Sequence, residues 1–150
     1  MIGQRVNRSD PERLFITVRA SENNIAKDDC VVWELTAASA DGVYVAQPGG
    51  DLWAFAGVMD AAVAIGEYGL CQVYGYRSTS RVQTTGTQDT GLPLVPVSGN
   101  DFFASVASTA ATTATNNTIV QQPIFAVLME SIASTAATAT ISAKIFIRAL

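Results

Sequence analysis

Apolar and polar positions alternate with a period of two at both ends of the chain. Near the start, Leu14, Ile16 and Val18 alternate with Arg13, Thr17 and Arg19, the pattern of a half-buried β-strand, and Phe15 falls on the polar side. At the end, Ile145, Ile147 and Ala149 alternate with Lys144, Phe146, Arg148 and Leu150, so a strand over residues 142–149 turns Phe146 outward between two cations. The interior reads as one short strand after another. Residues 30–36 place Val31, Trp33 and Leu35 on one face. Asp41-Gly42 signals a turn before a strand at 43–47, which Pro48-Gly49-Gly50 ends. Residues 52–65 are rich in alanine, but Gly57 interrupts them and no helix cap precedes them. They read as two strands, 52–59 and 61–65. Residues 66–69 form a turn and 70–76 a strand, with Gly75 a bulge or a point of close approach. A short strand follows at 81–85. Pro93 and Pro96 make 92–97 an edge strand or an extended loop. Strands at 102–107 and 119–129 complete the set.

Many short strands, regular turn signals and no long amphipathic helix predict an all-β single domain, a β-sandwich or jelly-roll-like barrel. It spans residues 14–150. An extended N-terminal arm, residues 1–13, precedes it, with Ser9 and Glu12 at the spacing of a capping box around one helical turn. A chain of 150 residues is long enough to bury a core without disulfide or metal support. The segment Ala107-Ser108-Thr109-Ala110-Ala111-Thr112 recurs at 133–138, a short match that reads as Ala/Thr low complexity rather than duplication.

Composition narrows the chemistry. The chain contains no histidine, which removes His-based metal sites, Ser-His and Cys-His pairs and the commonest general base. Two cysteines, Cys30 and Cys71, lie in apolar strands and read as buried, reduced thiols, too few for a zinc site. The carboxylates are scattered, without calcium-loop spacing, and neither a Gly-rich phosphate loop nor a nucleophile elbow is present. These features point away from an enzyme, and no cofactor is expected. Net charge is −4 and no run of Lys or Arg exists, so nucleic acid is not an expected partner. The long uncharged span 102–129 carries many threonines with Asn116, Asn117, Gln121, Gln122 and Pro123, unlike a bilayer segment, so no membrane partner is expected either. The opening MIGQRVNRSDPER has no apolar run of the secretory kind.

The cations that remain are unevenly placed. Arg5, Arg8, Arg13 and Arg19 lie in the first twenty residues, and Lys144 and Arg148 at the end. Between Lys27 and Lys144 only Arg77 and Arg81 are basic. Phe15 with Arg13 and Arg19, and Phe146 with Lys144 and Arg148, have the aromatic-plus-cation composition of an interface centre. If the first and last strands are neighbours, their outward faces merge into one surface, with Arg5 and Arg8 on the arm reaching an acidic partner.

The order of several short motifs is similar to that of a known family. Phe15-Ile16-Thr17-Val18 leads to Asn24-Ile25-Ala26-Lys27-Asp28-Asp29-Cys30-Val31-Val32. Ala40-Asp41-Gly42-Val43, Phe55-Ala56-Gly57-Val58, Ala64-Ile65-Gly66-Glu67-Tyr68-Gly69, Gln72-Val73-Tyr74-Gly75-Tyr76 and Ala143-Lys144-Ile145-Phe146-Ile147-Arg148 follow. From Leu14 to the C-terminus the chain resembles the small β-rich decoration, or cement, proteins of tailed-bacteriophage capsids. Asp29 departs from that pattern, where glycine is frequent, which implies a different turn. The resemblance implies a virion protein on the capsid exterior, assembled in the host cytoplasm. Its partners would be the major capsid protein and neighbouring copies of itself, as a dimer or trimer. It carries over no catalytic residue. An alternative is a receptor- or glycan-binding head-fibre or tail-tip module, with Tyr68, Tyr74 and Tyr76 as the ligand surface.

Overall fold

The computed structural model describes residues 12–21, 24–36, 42–49, 52–84, 86–105, 124–133 and 138–149. Eleven strands are defined: β1 (Leu14–Ala20), β2 (Cys30–Trp33), β3 (Tyr44–Ala46), β4 (Phe55–Met59), β5 (Tyr68–Arg77), β6 (Arg81–Thr84), β7 (Pro93–Pro96), β8 (Phe103–Ser105), β9 (Ala126–Leu128), β10 (Ala139–Ser142) and β11 (Ile145–Arg148). The all-β expectation holds. The sole helical element among the described residues is one 3-10 turn, Leu52–Ala54.

The strands divide between a closed barrel and a sheet that grows out of it. β1, β3, β2, β4 and β5 pair in that order, and β1 pairs back onto β5, so five strands close on themselves. Val18, Ala20, Ile25, Val31, Val45, Ala56, Met59, Val63 and Cys71 fill the interior. β5 then runs beyond the barrel and carries β11, β9, β7, β8, β6 and β10 in turn. A second core lies on the other side of the barrel wall. Cys30, Phe55 and Val58 pack there against Val82, Leu94, Phe103, Ala126, Leu128, Ile145 and Ile147. Cys30 and its neighbour Val31 therefore enter different cores, as do Phe55 and Ala56. The strands β2 and β4 are covered on both faces, and β4 is buried at all five positions. Such a strand needs an uninterrupted apolar run rather than alternation.

This double burial explains the largest corrections to the sequence reading. Residues 52–59 are a 3-10 turn followed by the shorter strand β4, and residues 61–65 form no strand but a single bridge, Ile25 to Val63. β2 ends at Trp33, leaving Leu35 56% exposed instead of inside with Val31. The proline-bearing segment is no edge. β7 is paired on both sides, by β8 and β9, with its two prolines confined to its first and last positions. The predicted C-terminal strand is two strands, β10 and β11, that pair with different neighbours. Leu14 is 40% exposed rather than buried with Val18. The expected arm, apart from Glu12 and Arg13, and both Ala/Thr repeats over most of their length lie outside the described residues.

β5 makes the turn from barrel to sheet by bending. Its register against β1 slips by one residue, so that Phe15 faces Gln72 but Leu14 faces Tyr74. Gly75, expected as a close-approach site, has φ +101°, and a methyl group there would overlap the Glu12 carbonyl oxygen. Beyond the bend, Arg77 is 4% exposed. Its Nε donates to Thr79 O (2.8 Å), Nη1 to Asp60 Oδ1 and Gln72 Oε1 (both 3.2 Å), and Nη2 to Asp28 Oδ1 and Met59 O (both 2.7 Å). Five acceptors meet the five N–H donors of one guanidinium. Asp28, at φ +71°, supplies the left-handed turn before β2, one residue ahead of the position where the resemblance expects glycine.

Replacing Arg77 with Met keeps the side-chain stem and removes all five donors, taking the donor from Gln72 Oε1 and leaving the Met59 carbonyl with Asp28 N alone. Arg77→Met should lower stability by about 3–5 kcal/mol, the cost of breaking a buried charge network from one side. Arg77→Lys should lose most of this as well, since an ammonium lacks the planar fork. Urea unfolding of the two variants measures it, and a Met variant as stable as the parent would contradict the assignment.

The two cysteines are free and buried. Cys71 lies in the barrel interior and Cys30 in the core across the wall. Burial pushes the Cys71 thiol up to about 12 and Cys30 well above the ordinary thiol value. Thiol titration should find two free thiols in denaturant and almost none reactive in the folded protein at mildly alkaline pH.

Candidate functional site

Two outward surfaces emerge from the strands the sequence singled out. The first is the outer barrel wall along β1 and β5. Ile16, Val18 and Ala20 point into the barrel, which leaves Phe15, Thr17 and Arg19 outside. On β5 the partners of Thr17 and Arg19 are Leu70 and Tyr68. Phe15 is 40% exposed, Leu70 49% and Tyr68 64%. Residues two apart on a strand share a face at a spacing of about 6.6 Å, so these side chains form a stripe. Ile65, on the turn that enters β5, is a further exposed apolar side chain.

Arg19 closes one end of the stripe in a fixed position. Its Nε donates to Gly66 O (2.6 Å) and its Nη1 to the Tyr44 hydroxyl (2.5 Å). The guanidinium carbon lies 5.1 Å from the Tyr44 ring centroid and 5.6 Å from that of Tyr68. This cation–π arrangement orders Tyr68 despite its exposure.

The second surface is the outer face of the sheet, opposite Ile145 and Ile147. Tyr76, Phe146 and Val127 lie side by side across β5, β11 and β9. Tyr74 is in register with Arg148, and its ring meets that of Phe146 edge-on at 5.3 Å. Tyr74, Tyr76 and Phe146 are each half-buried, while Arg148 is exposed. Lys144 pairs with Glu130 at 2.9 Å, and that hydrogen bond holds the Glu130 carboxyl below its ordinary value and raises Lys144.

The sequence-predicted residues are therefore regrouped. β1 and β11 are not neighbours, because β5 lies between them. Phe15 is level with Gln72 and Phe146 with Tyr76, so they stand roughly 10 Å apart across the sheet and roughly 13 Å along it. The merged centre does not form. Phe15 and Arg19 share the barrel wall with Tyr68, whereas Phe146, Lys144 and Arg148 share the sheet face with Tyr74 and Tyr76. Arg13 is exposed near the bend, and Arg5 and Arg8 lie outside the described residues. Sequence reasoning missed Leu70 and Ile65, whose exposure only the barrel closure reveals, and Tyr44, which holds Arg19.

The clustered carboxylates are tied to arginines. Asp28 and Asp60 bond Arg77, while buried Asp29 bonds Arg81 at 3.1 Å and accepts from Ala26 N at 2.8 Å. Arg81 also pairs with Asp101. Among the described residues no group of three or more Cys, Asp and Glu side chains is placed to hold a metal ion. The sequence carried part of the signal for this network: Arg77 and Arg81 are the only basic residues between Lys27 and Lys144, and an arginine as buried as Arg77 must be paired.

No protein-family model matches the chain, and no curated protein does. Among solved structures it is similar to the head fiber gp8.5 N base of bacteriophage phi29, with a TM-score of 0.48 and 13% identity over 92% of this chain and 96% of that one. That likeness is too low to carry an inference about this chain.

Burial raises the Asp29 carboxyl above 3.8, outweighing the hydrogen bonds from Ala26 and Arg81. The folded state then holds this proton more tightly than the unfolded state. Asp29 thus contributes most stability below its unfolded value, and that contribution is lost as pH rises through the raised one. Asparagine cannot titrate. The stability of the parent minus that of Asp29→Asn should fall as pH rises from about 3.5 to 7. A difference that grows with pH would mean that the pairing with Arg81 outweighs burial.

Proposed function

We propose that the chain is a structural virion protein that binds the outer surface of a phage capsid and bridges neighbouring capsid subunits, with the barrel wall as its docking face. The observation that carries this is the stripe Tyr68, Leu70 and Phe15, three large side chains 40–64% exposed beside a pinned arginine. Contiguous exposed apolar surface with a polar rim marks a protein-binding site. Aromatic residues and arginine are the residue types that dominate such interfaces. The resemblance of the ordered motifs to those of capsid decoration proteins supports a capsid partner. In this role, binding free energy that spans two capsid subunits opposes their separation, and many copies add up through multivalency. The rival ligand-binding module finds less support, because Tyr68 and the pair Tyr74 and Tyr76 belong to different surfaces.

The test is occupancy on particles of the parent phage prepared without this protein and then refilled. Tyr68→Ala and Leu70→Ser should each weaken binding by about 2 kcal/mol, roughly thirtyfold, while leaving the urea midpoint nearly unchanged. Lys144→Ala, which removes a pair already satisfied by Glu130, should bind nearly as the parent does. Full occupancy by the stripe variants, with loss on Phe146→Ala alone, would move the docking face to the outer sheet. No binding of the parent protein to such particles would overturn the reading itself.

A further inference from the structure

Among the described residues the closed barrel has no free strand edge, so the eleven-stranded sheet ends at one strand, β10. Which of its backbone groups remain free follows from the ladder with β6. Ser80 N donates to Ala143 O and Ala143 N to Ser80 O, both at 2.9 Å. In an antiparallel pair, hydrogen-bonded and non-hydrogen-bonded residues alternate. Stepping back through the register, Ile141 with Val82 is hydrogen-bonded, whereas Ser142 with Arg81 and Thr140 with Gln83 are not. Thr140 and Ser142 therefore turn both N–H and C=O away from β6. Among the described residues no backbone group meets them.

This edge lacks the usual protections. Natural edge strands carry lysine, proline or a bulge that deters pairing. The strand Ala139-Thr140-Ile141-Ser142 has no charge and no proline, and its register against β6 runs without a shift.

We propose that β10 is a self-association edge that pairs antiparallel with β10 of a second copy about a twofold axis through Ile141. In that register Thr140 of each copy faces Ser142 of the other, and the four outward N–H and C=O groups of each strand are satisfied by four reciprocal hydrogen bonds. A twofold contact must be self-complementary. Here the strand is: two hydroxyl residues exchange places, Ile141 meets its own copy, and no like charges are opposed. This pairing follows from backbone geometry and does not depend on binding to a capsid.

The register can be tested by cross-linking. In the proposed pairing the two Ile141 Cα atoms form a non-hydrogen-bonded pair about 4.5 Å apart, within disulfide range. Oxidised Ile141→Cys should run as a covalent dimer on non-reducing gels. The double variant Thr140→Cys/Ser142→Cys should do so too, and the single variants Thr140→Cys and Ser142→Cys far less. Parent protein, whose own cysteines are buried, is the control. In light scattering coupled to gel filtration the parent should be dimeric at high micromolar concentration. Thr140→Lys/Ser142→Lys, on exposed positions that spare the β6 ladder, should be monomeric with an unchanged circular dichroism spectrum. A monomeric parent at that concentration, or a dimer that survives the double lysine variant, would overturn the proposal. So would equal cross-linking by all the single cysteine variants.

Discussion

The guanidinium of Arg77 is the point on which the arrangement of this molecule depends. β5 belongs to two structures at once, closing the barrel through β1 and starting the second sheet through β11. A strand shared in this way is a natural hinge, and β5 is bent where it leaves the barrel. Arg77 removes the freedom. From the far side of the bend it holds Gln72 before the bend, the end of β4 at Met59 and Asp60, and the turn at Asp28. Gln72 in turn donates to the carbonyls of Tyr74 and Tyr76, clasping the bent segment from inside. Arg81, through Asp29 and Asp101, repeats the tie one strand later. Two arginines and their carboxylates thus fix the barrel wall and the outer sheet face relative to each other.

Burial of those charges is tolerable because every donor of Arg77 is used. A desolvated guanidinium with one missing acceptor would cost several kcal/mol, and replacing the network by apolar side chains need not lose stability. A plain apolar patch at the bend would, however, allow β5 several registers against β4, whereas acceptors at Met59, Asp60 and Gln72 meet one guanidinium in a single register. Here the network is better understood as setting conformation than as adding net stability, and the same register decides which side chains face outward on either side of the bend.

The sequence was most legible where a strand has one wet face. The alternations around Ile16 and Ile147 placed buried and outward residues correctly except at Leu14, because period two is a direct consequence of a pleated strand. Legibility failed at residues 52–65, where β4 is apolar on both faces and periodicity carries no information. It failed again at β7, whose prolines suggested an edge although they sit at the strand ends. For the candidate site, the outward orientation of Phe15 and Phe146 could be read from alternation. Their separation could not, because it depends on β5 inserting between β1 and β11. A long-range pairing leaves no local trace. Tyr68, Tyr74 and Tyr76 share one parity along the chain, which a regular strand would keep on one face. The register slip at Val73, opposite Leu14 and Phe15, divides them.

The state of the barrel stripe before any partner arrives bears on its fitness as a docking face. Binding orders side chains, at about 0.5–1.5 kcal/mol for each flexible one immobilised. An arginine on an open strand would be among the most expensive. Arg19 is already ordered by Gly66, Tyr44 and the Tyr68 ring. The ring is held in turn by the cation it covers, and tyrosine has few torsions to lose. Phe15 and Leu70 stand on two strands locked by five consecutive register pairs. Most of the ordering cost is therefore met during folding of the barrel, and it does not reappear on association. Lys144 shows the contrasting arrangement: its charge is already satisfied by Glu130 in a solvated pair, and a partner would have to compete with that carboxylate before gaining anything. Preorganisation, rather than formal charge, separates the surface proposed for docking from the one that merely carries more cations.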